Sequence, residues 1–454
     1  VGGINAASPA SGMPASDCLF LYNMIPFQYG LRVRSGWYEY ATNVGSDYSA
    51  SYGMYLSGSP LSAAMSSPMG GQEIGAWPGV SRTGVRSILS FAGSDSRGLR
   101  DRLFACTKEG IWDVTKKGAA PELVYGTANG DDWNNQDLSS GRGVGTAFTN
   151  FAGEHFYAYC DETNGYLLYR ESTDAWAKVA MGTEAGQIDG ANPATFAAVM
   201  SWKNRLWFVK KNSAAAYYLD VGQFAGTAYK INFGARFKYG GALANLFNWT
   251  VDGGTGIDDH LVGISTSGDV VIYTGTDPSS VATFGLKGVW SVGQVPPGRR
   301  IASSFGGDLF ILALTGCVPL SKLVAGYMVR DPNIYATAKI ANLFNSLMTE
   351  RGSLEGWEIN VHPTDNLLII NVPATTSKVQ EQLVMSMATK GWARQTGVPM
   401  STMEQWRGKL YFGTFDNRVC IHDGFVDGMK LDGTLPASIA WGLMTSFQSL
   451  GAAR

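Results

Sequence analysis

The stretch Asp101–Val114, "DRLFACTKEGIWDV", contains two short apolar runs, Leu103–Cys106 and Ile111–Val114, on either side of the turn Lys108-Glu109-Gly110. Such a pattern is typical of two antiparallel strands joined by a tight turn, in which glycine supplies the positive φ. A single hairpin leaves the architecture open, whereas a repeated hairpin decides it.

The hairpin recurs along the chain. Copies start at residues 101, 154, 204, 259, 307, 365 and 408, so neighbouring copies begin 43 to 58 residues apart. Several are preceded by an apolar run and followed by a strand that carries a tryptophan, namely Trp176, Trp290 and Trp392. The unit is therefore about four strands in roughly 50 residues, which is the repeat length of a β-propeller blade.

The repeat predicts an all-β fold, a β-propeller of six to seven blades. Seven such units would otherwise need about three β-sandwiches in a row, and no linkers between them are visible. Recurring tryptophans are predicted to pack between blades, and these structural repeat residues are Trp37, Trp112, Trp176, Trp290 and Trp392. The segment around Trp37 is predicted to pair with strands from the end of the chain and so close the ring.

Composition fits a folded all-β chain of low charge. Of 454 residues, 45% are hydrophobic and 16% are charged, and there are 57 glycines and 13 tryptophans. A formal net charge of −2 argues against tight DNA binding, because proteins that neutralise phosphates carry an excess of basic residues. The most apolar window, residues 311–329, is interrupted by Pro319, Ser321 and Lys322, so no membrane span is expected.

The chain divides into four predicted segments: a 1–45 N-terminal arm with the ring-closing strand, a 46–79 insertion rich in Ser, Gly and Met, an 80–425 propeller, and a 426–454 strand leading out of it. Because the insertion combines apolar side chains with little charge, we expect it to become ordered only against a neighbouring subunit or partner ring.

One amphipathic helix is predicted within the propeller, at about 331–352. Asp331 is the expected N-cap and Pro332 the first helical residue. Apolar residues recur at helical spacing on one stripe, namely Ile334, Ala338, Ala341, Phe344 and Met348.

No catalytic, cofactor-binding or metal site is predicted. The four histidines and five cysteines are dispersed, which argues against a metal cluster or disulfide framework and favours buried, reduced cysteines. Acidic loops at 129–137 and 251–260 lack the ligand spacing of a calcium loop. The glycine-rich segment 141–146 lacks the Lys-Ser/Thr pair of a P-loop. The sequence therefore favours a protein that is not an enzyme.

Two blocks carry a family resemblance. The first, 2–44, contains Gly2-Gly3-Ile4-Asn5, Met13-Pro14-Ala15-Ser16-Asp17, Tyr29-Gly30, Arg32 and Arg34, and Gly36-Trp37. The second spans 382–424, followed by 445–454. Both resemble the tail hub or nozzle proteins (tail tubular or stabilisation type) of short-tailed bacteriophages, the podoviruses, at their N-terminus and closing blade.

This resemblance implies a structural virion protein of the viral tail, made in the host cytoplasm, without enzymatic activity or cofactor. It implies a homohexamer ring below the portal and its head-to-tail adaptor proteins, through which genomic DNA is ejected without specific binding. Tail fibre or spike proteins and needle or plug proteins are the other implied partners. Family members usually lack the 46–79 insertion and continue beyond the position of Arg454 into a further β domain, so the C-terminal strand is expected to be truncated.

The alternative is a propeller lectin or carbohydrate-processing protein, since one fold hosts many functions. Aromatic rings that stack on sugars would then be needed, and the candidates are Trp112, Trp176, Trp290 and Trp392. Their apparent recurrence at one strand position favours blade packing instead.

Overall fold

The computed structural model describes residues 2–9, 12–45, 84–134, 139–252, 257–280, 282–326, 331–375, 380–434 and 436–445. The predicted insertion at 46–79 lies outside these residues, so its predicted ordering against a partner stays a prediction. Parts of both acidic loops, 135–137 and 253–256, also lie outside them.

Seven successive sheets, which we number blades 1 to 7, form the body of the described structure. Blades 1 to 4 have four antiparallel strands each. Blade 1 consists of Ser87–Phe91, Arg102–Cys106, Gly110–Asp113 and Glu122–Gly126, and blade 2 of Gly143–Thr149, His155–Asp161, Gly165–Arg170 and Ala175–Lys178. Blade 3 consists of Phe196–Trp202, Arg205–Lys210, Ala215–Tyr218 and Tyr229–Asn232, and blade 4 of Leu243–Asp252, Ile257–Ser265, Asp269–Gly275 and Phe284–Ser291. Blade 5 has three described strands: Ala302–Phe305, Asp308–Ala313 and Gly316–Pro319.

Blades 6 and 7 combine strands from the body of the chain with strands from both ends. Blade 6 consists of Glu358–His362, Leu367–Val372, Glu381–Ser386 and Trp392–Gln395, extended by Gly3–Ile4, Asp17–Tyr22 and Gly442–Thr445. Blade 7 consists of Thr402–Trp406, Lys409–Gly413, Val419–His422 and Trp37–Ala41, extended by Val426–Met429 and Ala437–Ser438.

Smaller elements connect the blades. Two-stranded pairs join Met24–Phe27 to Gly30–Val33, and Ile188–Asp189 to Gly226–Thr227. Short 3-10 turns occupy Thr127–Asn129, Pro193–Thr195, Phe233–Ala235, Pro332–Ile334 and Ala338–Ile340, and the α-helices are Leu320–Val324 and Ala341–Arg351. No helix in the described ranges is long and apolar enough to cross a membrane.

The blades form a closed ring around a central axis. Each blade's first strand contacts the first strand of the next blade, and blade 7 contacts blade 1 in the same way. Six of these blades have at least four strands and blade 5 has three. The predicted propeller of six to seven blades is therefore confirmed.

The core consists of seven apolar clusters, each lying between two adjacent blades. The second strand of blade 1 shows how alternation produces them. Leu103 and Ala105 pack toward blade 7, whereas Phe104 and Cys106 pack toward blade 2. Because successive strand residues point to opposite faces, a strand buried on both sides reads as a continuous apolar run.

The ring is closed by the N-terminal segment. Trp37–Ala41 pairs antiparallel with Val419–His422, which is the pairing that the tryptophan repeat predicts. The Trp37 indole donates a hydrogen bond to the Gly397 carbonyl at 2.8 Å. Blade 7 thus obtains its fourth strand from the start of the chain, which protects its edge.

The helix predicted at about 331–352 is only half correct, because the α-helix begins at Ala341. Asp331 caps a 3-10 turn, accepting the Asn333 amide at 2.9 Å. The following segment instead bonds to blade 5: the Ala336 amide donates to the Cys317 carbonyl at 2.8 Å, and Thr337 Oγ1 accepts the Cys317 amide at 3.1 Å. These hydrogen bonds to blade 5 take the place of helical hydrogen bonds at Ala336 and Thr337, so the α-helix begins only at Ala341.

Gly36→Ala should destabilise ring closure. A Cβ at Gly36 would lie 2.0 Å from the Val426 carbonyl oxygen, which is backbone and cannot move aside as a flexible side chain would. We expect a loss of about 1–3 kcal/mol in the free energy of unfolding, measured by urea denaturation. The control is Gly285→Ala, where the added methyl meets open space. Equal stability of the two variants would contradict this mode of closure.

Candidate functional site: an arginine cluster at the propeller axis

The guanidinium of Arg300 lies across the propeller axis. Arg300, just before the first strand of blade 5, donates to the Gly143 carbonyl from Nε at 3.1 Å and from Nη2 at 2.6 Å. Its other acceptors are Ser87 Oγ, Thr402 Oγ1, the Arg86 carbonyl at 3.4 Å and Glu358 Oε2 at 3.4 Å. A single side chain therefore joins blade 5 to blades 1, 2, 6 and 7.

Arg299 holds the same loop from its other side. Its guanidinium contacts Glu162 Oε1 at 2.9 and 2.6 Å, and donates to the Leu243 and Ala244 carbonyls at 3.0 and 2.5 Å. Glu162 follows the second strand of blade 2, and Leu243 and Ala244 begin blade 4. The two neighbouring arginines thus point to different sets of blades.

The axis is hollow on one side of Arg300. A cavity of about 250 Å³ is lined by first-strand residues from all seven blades, and Glu358 and Glu404 are its acidic lining residues. Two further cavities, of about 40 and 530 Å³, lie where the first strands begin. Arg300 borders the axial cavity and the smaller of these two, so it lies between the interior of the ring and its mouth.

The axial carboxylates are perturbed by burial. Desolvation raises the pKa of Glu358, and the Arg300 guanidinium opposes that shift. Desolvation raises the pKa of Glu404 to about 7, with a smaller contribution from Glu358, although Ser90 donates a hydrogen bond to Glu404 at 3.0 Å. Glu404 is therefore an axial group that changes charge near neutral pH.

Two more arginines lie at the mouth. Arg86 donates to the Ser140 carbonyl at 2.7 Å. Burial lowers the pKa of Arg142 to about 10, with smaller contributions in the same direction from the positive charges of Arg86 and Arg300, while Glu355 acts in the opposite direction. Arg142 therefore remains protonated at neutral pH but carries a charge that its surroundings compensate poorly.

The five predicted tryptophans are not brought together. Each lies in a different interblade cluster: Trp37, Trp112, Trp176, Trp290 and Trp392. Trp37, Trp176 and Trp392 are buried, whereas Trp112 and Trp290 are partly buried.

The expected recurrence at one strand position is wrong for Trp112. It lies on the third strand of blade 1, whereas the other four lie on the fourth strand of their blades. The reason is that Trp112 is part of the hairpin itself, where its indole donates to Thr107 Oγ1 at 3.1 Å beside the turn.

Other candidate groups serve the core. All five cysteines are buried and free, as predicted. His422 accepts or donates a hydrogen bond with Gln395 at 2.8 Å, and burial lowers its pKa to about 3. Across the described ranges, no group of three or more His, Cys, Asp and Glu side chains is placed to hold a metal ion.

The sequence reasoning missed the axial arginines, although a signal was present. Arg86 and Arg142 each stand immediately before the first strand of a blade, and Arg300 stands two residues before one. An arginine at the start of an apolar first strand in several repeats indicates a charged group at the axis, because those strands line it.

Comparisons with known proteins support no family assignment. No protein-family model matches the chain, and no curated protein matches it. The extracellular domain of a hybrid two-component system from B. thetaiotaomicron is 11% identical, with a TM-score of 0.44, over 78% of this chain and 41% of that one.

Other solved structures are equally distant. The computationally designed Ika8 protein is 10% identical, with a TM-score of 0.36, over 78% of this chain and 100% of that one. Chaetomium thermophilum Raptor is 10% identical, with a TM-score of 0.41, over 77% of this chain and 28% of that one. The chain thus spans less than half the length of two of these neighbours.

Arg300→Met should destabilise the whole ring. It removes the bonds to four blades and leaves the carboxylate of Glu358 buried without its cation, so we expect a loss of about 3–5 kcal/mol in unfolding free energy. The control is Arg97→Met at an exposed position, which should change stability by less than about 0.5 kcal/mol. A stability for Arg300→Met equal to that of the control would show that the axis does not depend on this contact.

Glu404→Gln should remove a pH dependence. The folded state binds the Glu404 proton more tightly than the unfolded chain, in which the pKa is about 4.5. The stability contributed by this group is therefore highest below pH 4.5 and falls as the pH rises to about 7. Relative to wild type, the variant should gain stability across this window and keep the gain above it, as measured by denaturation at several pH values. Glu122→Gln, at an exposed position, is the control; a difference that is flat with pH would contradict the assignment.

Proposed function

We propose that this protein is a structural subunit of a short-tailed phage tail, a hub or nozzle ring below the portal and adaptor. The observation that carries the proposal is that the two sequence blocks with the family resemblance contact each other in the folded chain. Residues 2–44 supply strands to blades 6 and 7, and 382–424 contain the strand Trp392–Gln395 of blade 6 and the first three strands of blade 7.

The first motif forms an interlocked cluster against blade 6. Asn5 Nδ2 donates to Asp17 Oδ2 at 2.8 Å, and Asp17 is almost fully buried. Gly3 has a φ of +75°, and a Cβ there would lie 2.4 Å from the Trp392 amide nitrogen. The Gly-Gly-x-Asn segment therefore requires a glycine at position 3 for steric reasons, and Asn5 requires Asp17 as its hydrogen-bond acceptor.

Arg34, which belongs to the same N-terminal block, joins blades 6 and 7. Arg34 forms a bidentate pair with Asp427, at 2.7 and 2.6 Å, and donates to the Thr396 carbonyl at 2.7 Å. The Arg34 side chain is fully buried, so this contact is shielded from solvent. This buried contact between the N-terminal block and the last two blades favours a role in which both ends of the chain must be firmly held.

A closed subunit axis favours a DNA channel between subunits. Arg300 lies across the axis, and the two cavities that it borders have volumes of about 40 and 250 Å³, no larger than the pockets that hold small ligands. DNA would therefore pass through the centre of a ring of subunits. The low net charge of −2 suits a channel wall that phosphates leave easily.

Exposed apolar side chains near blades 6 and 7 suit subunit contacts. Phe425 is 94% exposed, Trp441 54% and Met444 50%. All three lie on the segments that extend these two blades, around Val426–Met429 and Gly442–Thr445. Large exposed apolar side chains that form one patch are typical of interaction surfaces.

The lectin alternative loses part of its support. Trp176 and Trp392 are buried between blades, so they are not accessible for stacking on a sugar ring. Trp112 and Trp290 are partly buried and lie in separate interblade clusters. No observation on the described residues favours carbohydrate binding over the structural role.

The purified protein, alone or mixed with a portal–adaptor complex, should form a sixfold ring in negative-stain electron microscopy. Phe425→Ser combined with Trp441→Ser should weaken the ring without unfolding the subunit, whereas Phe151→Ser, exposed on a blade 2 turn, should not. Duplex DNA should bind without sequence preference and with a Kd in the non-specific range of about 10⁻⁴ to 10⁻⁶ M, or more weakly. A monomer that does not join the complex, or nanomolar sequence-selective DNA binding, would contradict the proposal.

A further inference from the structure

The two cavities where the first strands begin form one candidate binding site, which we call the mouth pocket. The smaller, of about 40 Å³, and the larger, of about 530 Å³, share four lining residues: Glu162, Gly298, Arg299 and Glu355. The larger volume falls in the range of small-molecule pockets. Three interblade loops line the pocket, the ones that precede blades 2, 5 and 6.

Arg142 differs from the other arginines at this end of the axis. Arg299 pairs with Glu162 at 2.6 Å, and Arg300 contacts Glu358 at 3.4 Å. In the parts of the chain that the structure describes, no acceptor lies within hydrogen-bonding distance of the Arg142 guanidinium, and its attraction to Glu355 acts beyond ion-pair distance. A guanidinium in this position has its donors available for a ligand.

Glycine leaves space beside that guanidinium. Gly356 lines the smaller cavity, and a Cβ there would lie 3.3 Å from Arg142 Nη1. Its φ of +115° is a conformation that other residues rarely adopt. The free volume next to Arg142 is therefore built into the backbone of the loop before blade 6.

The charge balance of the mouth pocket also favours an anion. Glu162 pairs with Arg299 and Glu358 with Arg300, so neither carboxylate forms an ion pair with Arg142. Glu355 is exposed at the rim and is the carboxylate that acts most strongly on Arg142, with a smaller contribution from Glu358. Burial and the neighbouring arginines lower the pKa of Arg142 to about 10, as expected for a positive charge without a close counterion.

We propose that the mouth pocket binds the oxyanion group of a small molecule, a carboxylate or phosphate, on the Arg142 guanidinium. Planar guanidinium groups bind such oxyanions through two parallel hydrogen bonds. The rest of the molecule would occupy the larger cavity, whose polar lining includes Asn212, Thr266, Thr349 and Ser353. This site goes beyond the proposed structural role and does not depend on it.

A bound oxyanion would also stabilise the ring. It would link loops that precede three different blades, and a ligand that binds only the folded state raises the unfolding free energy by mass action. The melting temperature of the protein should therefore rise with ligand concentration.

The test is calorimetric titration of the full chain with inorganic phosphate, and separately with acetate, at constant ionic strength. We expect saturable binding of one ion per chain, weakened ten- to a hundredfold in Arg142→Met, because a charge-assisted bidentate contact is lost. Arg97→Met, at an exposed position far from the pocket in the sequence, should bind as wild type does. The stronger of the two ions identifies the head group.

A second variant covers the case in which Arg142→Met does not fold. Glu355→Gln removes an exposed negative charge at the rim and leaves Arg142 in place, so phosphate binding should tighten severalfold. Absence of saturable binding by wild type would overturn the proposal. Unchanged affinity in a folded Arg142→Met variant, or in Glu355→Gln, would overturn it equally.

Discussion

The contact between Arg300 and the starts of four other blades is the interaction on which the ring depends most. Seven sheets that each pack only against their neighbours would leave the axis as a polar-edged hole. Arg300 spans it at one level by donating to groups that lie at the starts of the first strands, including the Gly143 carbonyl at 2.6 Å. A guanidinium suits this position because its planar fork offers five donors in fixed directions.

This arrangement separates two tasks in the propeller. Seven interblade clusters supply apolar burial around the ring, each shared by two blades. The arginines at the axis supply hydrogen bonds where the ring has no apolar core. Glu358 and Glu404 lie in the same low-dielectric space, which is why their pKa values are raised.

Closure of the ring links the fold to the proposed function. Trp37–Ala41 completes blade 7, while Gly3–Ile4 and Asp17–Tyr22 extend blade 6, so the N-terminal arm spans the two last blades. Arg34 fixes the arm through its buried pair with Asp427 at 2.6 Å. Exposed apolar residues such as Phe425 and Trp441 lie on the segments added beside this junction, which would place subunit contacts where both chain ends are held.

The sequence by itself determined the blade repeat, because a strand buried on both faces reads as a short apolar run between turns, as in Leu103–Cys106. It also indicated the closing strand through Trp37. It did not determine the position of Trp112, the start of the helix at Ala341 or the axial site. Those features depend on groups far apart in the chain: Thr337 bonds to Cys317, and Arg300 reaches Ser87, Gly143, Glu358 and Thr402. Local patterns record which face of a strand is buried, but only the closed ring brings these distant donors and acceptors within hydrogen-bonding distance.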